Sequence, residues 1–200
     1  MARLDFWFDY ASTYSYLAAM RIEALAEAAK VQVHWRPFLL GPVFAAAGWD
    51  TSPFNIYPAK GQNMWRDMER LSQRYDLPPL HRSEVFPQHS VLAARIGLVG
   101  SREGWAAGFT RAVFTHQFTK AGRIDDTFAL EHILEALDLD PQWVLSEALD
   151  EVNKGQLRLE TERAAGLGIF GAPTFVTGGG ELFWGNDRLE QAIEWAAGEG

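Results

Sequence analysis

Leu4-Asp5-Phe6-Trp7-Phe8-Asp9, followed at once by Tyr10-Ala11-Ser12-Thr13-Tyr14-Ser15-Tyr16-Leu17, decides the reading of this chain. Leu4, Phe6 and Phe8 alternate with Asp5, Trp7 and Asp9, which is the period of a strand. Tyr10 and Ala11 break that period. From Tyr14 to Lys30 the apolar residues Tyr14, Ala18, Ile22, Leu25 and Ala29 recur at spacings of four and three, one face of a helix. Val31, Val33, Trp35 and Pro37 then alternate with Gln32, His34, Arg36 and Phe38 and predict a second strand. Strand–helix–strand at this length predicts a parallel pair with a right-handed crossover.

Strand signals return only near the other end. Thr174–Thr177 and Glu181–Trp184 flank Gly178-Gly179-Gly180, a hairpin signal because glycine accepts positive φ without a steric clash. Asp187–Ala197 reads as a closing helix with Leu189, Ile193, Ala196 and Ala197 facing inward. Between the two ends, helical periodicity dominates. The expected helices are Lys60–Tyr75, Gln88–Gly100, Glu103–Phe118, Thr127–Leu137, Pro141–Lys154 and Gln156–Leu167. Pro78-Pro79, Gly122, the Asp138–Pro141 stretch and Gly155 punctuate them. The order βαβ, helices, ββα is an α/β, thioredoxin-like mixed sheet interrupted by a large all-helical insertion. The expected division is residues 1–39 plus 168–200 for the thioredoxin-like domain and 40–167 for the helical lobe.

Composition narrows the chemistry. The chain has no cysteine. Disulfide staples, thiolate zinc sites and a Cys-x-x-Cys redox centre are therefore excluded, and any sulfur chemistry needs a thiol from outside. A net charge of −8 argues against nucleic acid or an anionic membrane as partner, since both reward clustered Lys and Arg. Asp5 and Asp9 interrupt what would be a signal core, and the most apolar stretch, Phe38 to Trp49, is far short of a membrane span. A cytoplasmic protein is expected. The five histidines show no metal-ligand spacing, and no Gly-x-Ser-x-Gly elbow or Walker loop is present. No metal is expected.

Ser12 stands where the first helix begins. A hydroxyl there can donate to an anion while the helix N-terminus adds stabilisation, the conditions that lower a thiol's pKa. It can equally be only an N-cap, and one oxygen can do both by accepting from the backbone and donating its proton elsewhere. Pro173 follows a small residue and precedes a strand; in this fold context Ala172–Pro173 is expected to be cis and to lie beside Ser12. Asp187 reads either as a cap or as a carboxylate for a ligand's ammonium. Asn55, Lys60 and Arg188 are polar groups suited to a small anionic ligand, or solvated surface residues.

Four segments resemble one family in the right order. They are Phe8 to Ala18, Asn55-Ile56-Tyr57-Pro58-Ala59-Lys60-Gly61, Phe170-Gly171-Ala172-Pro173-Thr174-Phe175, and Glu181 to Leu189 with its Trp184-Gly185-Asn186-Asp187 junction. They are similar to the 2-hydroxychromene-2-carboxylate isomerases and the kappa-class glutathione transferases, relatives of the DsbA-like thioredoxin fold. The resemblance implies glutathione as the thiol cofactor, with Ser12 against its sulfur. It places Ala172 and Pro173 against the cysteinyl backbone, Asn186 and Asp187 against the γ-glutamyl end, and Tyr14 and Asn55 nearby. Lys60, His89 and Trp184 fall to the substrate side, the substrate being a small aromatic carboxylate or electrophile, and a homodimer is the expected assembly.

Two departures stand out: Thr13 replaces the family's usual proline, and Gln88-His89-Ser90 occupies a run where an asparagine is common. The implied activity is glutathione-dependent isomerisation in aromatic catabolism, by thiolate addition, bond rotation and elimination. A kappa-like transferase and a non-catalytic thiol- or peptide-binding module are the alternatives. A DsbA-type oxidoreductase is rejected for want of cysteine.

Overall fold

The computed structural model describes residues 2–199. Its sheet has four strands, β1 (Ala2–Phe8), β2 (Val31–Pro37), β3 (Thr174–Thr177) and β4 (Leu182–Trp184), in the order β2-β1-β3-β4. β1 pairs parallel with β2, Ala2 opposite Val31 through Phe8 opposite Pro37, as the crossover requires. β3 runs antiparallel to β1 and to β4. At the hairpin, Gly180 takes φ +91, and the Glu199 carboxylate accepts from Thr177 Oγ1 and Gly179 N. The α/β thioredoxin-like arrangement follows.

The first helical segment differs from expectation. Tyr14–Lys30 is not one helix but α1 (Thr13–Ala19) and α2 (Ile22–Ala28), offset at Met20 and Arg21. Both pieces bury their apolar sides, Leu17 and Ala18 in one, Ile22 and Ala26 in the other. Apolar spacing therefore runs on across a break in the backbone. Arg21 occupies the break, stacked 3.8 Å over the Tyr75 ring and paired with Glu190.

The insertion contains α3 (Leu40–Ala46), α4 (Pro53–Ile56), α5 (Pro58–Arg74), α6 (Val91–Glu103), α7 (Ala106–Thr119), α8 (Thr127–Glu135), α9 (Pro141–Leu149) and α10 (Glu151–Gly166). α3 and α4 were not expected. α3 has no buried residue and α4 has four residues, so neither leaves an apolar period. Gln88 does not begin a helix; it is buried, and its amide donates to Gly122 O and accepts from Ile124 N. Gly155 does not break one either. The chain turns instead at Asp150, which is extended and caps α10 by accepting from Val152 N. At the C-terminal end, Asn186–Arg188 form a 3-10 turn before α11 (Leu189–Gly198), so Asp187 precedes the closing helix.

One apolar core joins the sheet to the insertion. Phe6, Phe8 and Phe175 stack beside Trp35 on one face of the sheet, and Phe8 and Tyr10 reach Phe114 of α7. Tyr10, fully buried, shares a 2.9 Å hydrogen bond with Thr110 of α7. Burial pushes its phenol up, so it stays neutral. A Cβ on Gly97 would collide with this hydroxyl, so the close approach of α6 requires glycine there. The turn carrying Ser12 thus springs from a strand end clamped on both sides.

Candidate active site around Ser12 and Ala172

The Ser12 turn is built by Asp9. This buried carboxylate accepts from Ala11 N at 2.8 Å and Leu40 N at 2.7 Å, with the Ser90 hydroxyl also turned towards it, while Ser12 N donates to Asp9 O at 2.9 Å. Burial pushes the Asp9 carboxyl above the usual range against these hydrogen bonds. The result is a fixed Asx-type turn that starts α1 with Ser12 as its N-cap.

Ser12 Oγ accepts from Ser15 N at 3.2 Å and donates to Ala172 O at 3.1 Å. Cap and donor are both realised in one atom. Ala172–Pro173 is cis, as is Phe86–Pro87. Pro173 O accepts from Gly185 N at 2.9 Å, which ties the proline loop to the β4–α11 junction. At N1 of α1, Thr13 is buried and its hydroxyl donates to Met64 Sδ of α5 at 3.0 Å.

That junction meets α1 and α5 at an acidic corner. Tyr14 OH donates to Asp67 Oδ2 at 2.9 Å. Burial raises the Tyr14 phenol, and the charges of Asp67 and Asp187 raise it further, so the phenol remains a donor. Asn186 is buried; its Nδ2 donates to Tyr75 OH at 3.3 Å while its Oδ1 has no partner. The Asp187 side chain is 76% exposed and caps no helix. Arg188 Nη2 lies 3.9 Å from Asp187 Oδ2, and two carboxylates with an unpartnered amide oxygen leave the corner with an excess of acceptors, which suits an ammonium group.

An aromatic pair flanks the other side. The Phe170 and Trp184 rings lie 4.8 Å apart, both more than half exposed, and Trp184 covers Gly171 so closely that a Cβ there would strike its indole. Lys60 is exposed, its Nζ 4.7 Å over the Tyr57 ring. Asn55 is turned to the protein, donating to Phe86 O at 3.0 Å and Thr51 Oγ1 at 3.3 Å. His89 is exposed and close enough for its charge to act on Asp9 and Asp125.

The structure thus brings Ser12, Ala172, Pro173 and Trp184 into one group, and Tyr14, Asn186 and Asp187 into an adjoining one. Among the described residues, Lys60, Asn55 and His89 make no hydrogen bond with Ser12, whose hydroxyl bonds to Ala172 and Ser15. Asp67 and Phe170 also belong to these groups; the sequence assigns neither a role, although Phe170 heads the Phe170–Phe175 segment. Asp67 is one polar residue on an amphipathic helix, and Phe170 reads as an ordinary loop aromatic.

The chain matches the family model described as a DSBA-like thioredoxin domain over residues 3–194. It is 30% identical over 194 residues to a 2-hydroxychromene-2-carboxylate isomerase of Pseudomonas putida, covering 93% of this chain and 90% of the relative. To glutathione S-transferase kappa 1 of Caenorhabditis elegans it is 25% identical over 201 residues, covering 94% and 88%. A solved structure of a 2-hydroxychromene-2-carboxylate isomerase superposes with a TM-score of 0.85 at 26% identity, over 98% of this chain and 95% of the other. Among the described residues no helix is long and apolar enough to cross a membrane. This cysteine-free chain belongs to the DSBA-like thioredoxin domain family, alongside the 2-hydroxychromene-2-carboxylate isomerases and the kappa-class glutathione transferases.

Proposed function

We propose that the chain is a glutathione-dependent isomerase interconverting 2-hydroxychromene-2-carboxylate and trans-o-hydroxybenzylidenepyruvate in aromatic breakdown. The observation that carries this reading is the Ser12 hydroxyl, presented by a helix start and held against Ala172, in a chain without a thiol of its own. The donor set suits glutathione. Asp67, Asp187 and the orphaned Asn186 Oδ1 match its ammonium, and the Ala172–Pro173 backbone lies beside Ser12 to take the cysteinyl segment. Bound glutathione supplies a nucleophilic sulfur for reversible addition to a conjugated carbon–carbon double bond.

The chain's own residues do the rest. Ser12 turns its proton from the Ala172 carbonyl to the sulfur, exchanging a neutral hydrogen bond for a stronger charge-assisted one. The Ser15 N–H keeps Ser12 Oγ in place during the exchange. Phe170 and Trp184 stack the aromatic ring of the substrate. Lys60 offsets its carboxylate and the charge that develops on its carbonyl oxygen. Asn55 shapes the wall by holding the segment at Phe86.

The test is isomerisation of the chromene followed by absorbance, with and without glutathione. Turnover that requires glutathione is expected, and turnover without any thiol refutes the mechanism. Conjugation of a generic electrophile with no isomerisation assigns the chain to the transferase activity named for its kappa relatives. Absence of both leaves a binding module.

A further inference from the structure

The break between α1 and α2 is filled by Arg21, and Arg21 holds two other elements at once. Its guanidinium lies 3.8 Å over the Tyr75 ring, at the C-terminal end of α5. Its Nη1 and Nη2 donate to the two carboxylate oxygens of Glu190, in the first turn of α11, at 2.9 and 3.2 Å. A planar fork can stack by its face and bond by its edge in this way, which an ammonium cannot. The Tyr75 hydroxyl in turn accepts from Asn186 Nδ2 at 3.3 Å. Asn186, Tyr75, Arg21 and Glu190 therefore close a ring of contacts on the stretch of chain that carries Asp187.

Asp187 does not fix its own place. Its side chain is mostly exposed and has one distant ion pair, with Arg188 at 3.9 Å. Its carboxylate folds back over Gly185, where a Cβ would strike it. The turn is tied at one end by Gly185 N, which donates to Pro173 O at 2.9 Å. The buried Asn186 side chain ties it on the other side to Tyr75. Tyr75 ends the helix on which Asp67 stands, and a helix is stiff over two turns. The Tyr75–Asn186 bond therefore sets how far the Asp187 turn stands from Asp67. Both carboxylates already meet at Tyr14, Asp67 through a hydrogen bond and Asp187 through its charge.

We infer that Tyr75 is the positioning residue of the acidic corner: its hydroxyl, steadied by Arg21, holds Asp187 at the spacing from Asp67 that lets both carboxylates serve one ammonium group. The site thereby selects thiols whose γ-glutamyl arm carries a free amine. This inference rests on the glutathione reading of the corner. The Tyr75 ring supports the fold by stacking, and its hydroxyl does the positioning, so the two roles can be separated.

Tyr75→Phe keeps the ring under Arg21 and removes only the hydroxyl. Calorimetric titration compares glutathione with glutaryl-cysteinylglycine, the same tripeptide without its α-amino group. In Tyr75→Phe glutathione should bind about tenfold more weakly, while the deamino analogue changes by less than about twofold. The melting temperature should stay near that of the wild type. In an Asp187→Ala background Tyr75→Phe should cost glutathione little more, because the two residues act on one interaction. Equal weakening of both ligands would reduce Tyr75 to a structural role. Unchanged glutathione affinity, or full additivity with Asp187→Ala, would also overturn the inference, and in these cases the wild type still binds glutathione and that reading stands. A wild type that binds no glutathione refutes the glutathione reading itself, and the positioning role falls with it.

Discussion

Ser12 and Ala172 are 160 residues apart in the chain, and the hydroxyl of one donates to the carbonyl of the other at 3.1 Å. The same oxygen accepts the Ser15 N–H. The proton that a bound thiolate would need is therefore already ordered, and it points at the strand entrance where the proline loop ends. A short rotation redirects it without loss of the cap.

Replacement of Ser12 by alanine removes both bonds at once. Loss of the cap should lower stability by about 1 kcal/mol. Loss of the donor should raise the bound thiol's pKa and lower turnover at neutral pH, with each pKa unit equal to about 1.4 kcal/mol. Turnover should then recover in part as pH rises and solvent supplies the thiolate. A Ser12→Ala profile parallel to that of the wild type would show that the hydroxyl acts only as a cap.

The acidic corner separates binding from folding. Asp187 is mostly exposed and caps nothing, so Asp187→Ala should change stability by less than about 0.5 kcal/mol. Asp67→Asn keeps an acceptor for Tyr14 OH and removes only the charge. Each variant should weaken glutathione binding by roughly 1.5–3 kcal/mol, about ten- to a hundredfold in Kd, as measured by titration calorimetry. Unchanged affinity in both would place the ligand's ammonium elsewhere.

Much of the sheet was legible because its signals are local. β2 runs from Val31 to Pro37, one residue short of the alternating stretch, and β3 from Thr174 to Thr177, the span expected beside the three glycines. The Ser12 cap was legible for the same reason. The break at Met20–Arg21 was not, because both short helices turn apolar sides to the core and the period carries across the offset. α3 was hidden by Gly41-Pro42, although proline is tolerated in a helix's first turn where its missing N–H has no partner to lose. Asp67 and Phe170 take their places through tertiary contacts, to Tyr14 and Trp184, and Asp9 adds to its local bond with Ala11 a tertiary one to Leu40, which no local spacing records. The two departures at Thr13 and Gln88 proved to be packing solutions, one onto Met64 and the other onto the Gly122–Ile124 loop.

Gly171 tests the aromatic wall. A Cβ at this position runs into the Trp184 indole, a half-exposed side chain free to move outward. Gly171→Ala should therefore displace Trp184 and disturb its stacking with Phe170 more than it disturbs the fold. KM for the aromatic substrate should rise by roughly tenfold, near 1.4 kcal/mol, with kcat changed much less. Glutathione affinity should hold. A fall in kcat at unchanged KM would mean that Trp184 does not contact the substrate in its ground state.

Asp9 makes a prediction about pH. Its carboxyl is buried and its pKa is raised above the ordinary carboxylate range, with the N–H groups of Ala11 and Leu40, the Ser90 hydroxyl and the His89 charge all opposing that rise. The native state therefore holds this proton more tightly than the unfolded chain does. Between the ordinary value and the raised one, the folded protein binds more protons, so stability falls as pH rises through that window. Asparagine does not titrate, and its amide would set a donor against one of the two backbone N–H groups, a loss of about 1–3 kcal/mol. The wild type's advantage over Asp9→Asn should thus be largest in acid and should narrow as pH rises. Urea midpoints of both proteins across a pH series measure the difference, in which unrelated titrations cancel. The same comparison in a His89→Gln background confirms that the slope belongs to Asp9. A difference that stays flat, or widens towards alkaline pH, would mean that the Asp9 pKa is not raised and that its anion is fully supported by the turn it builds.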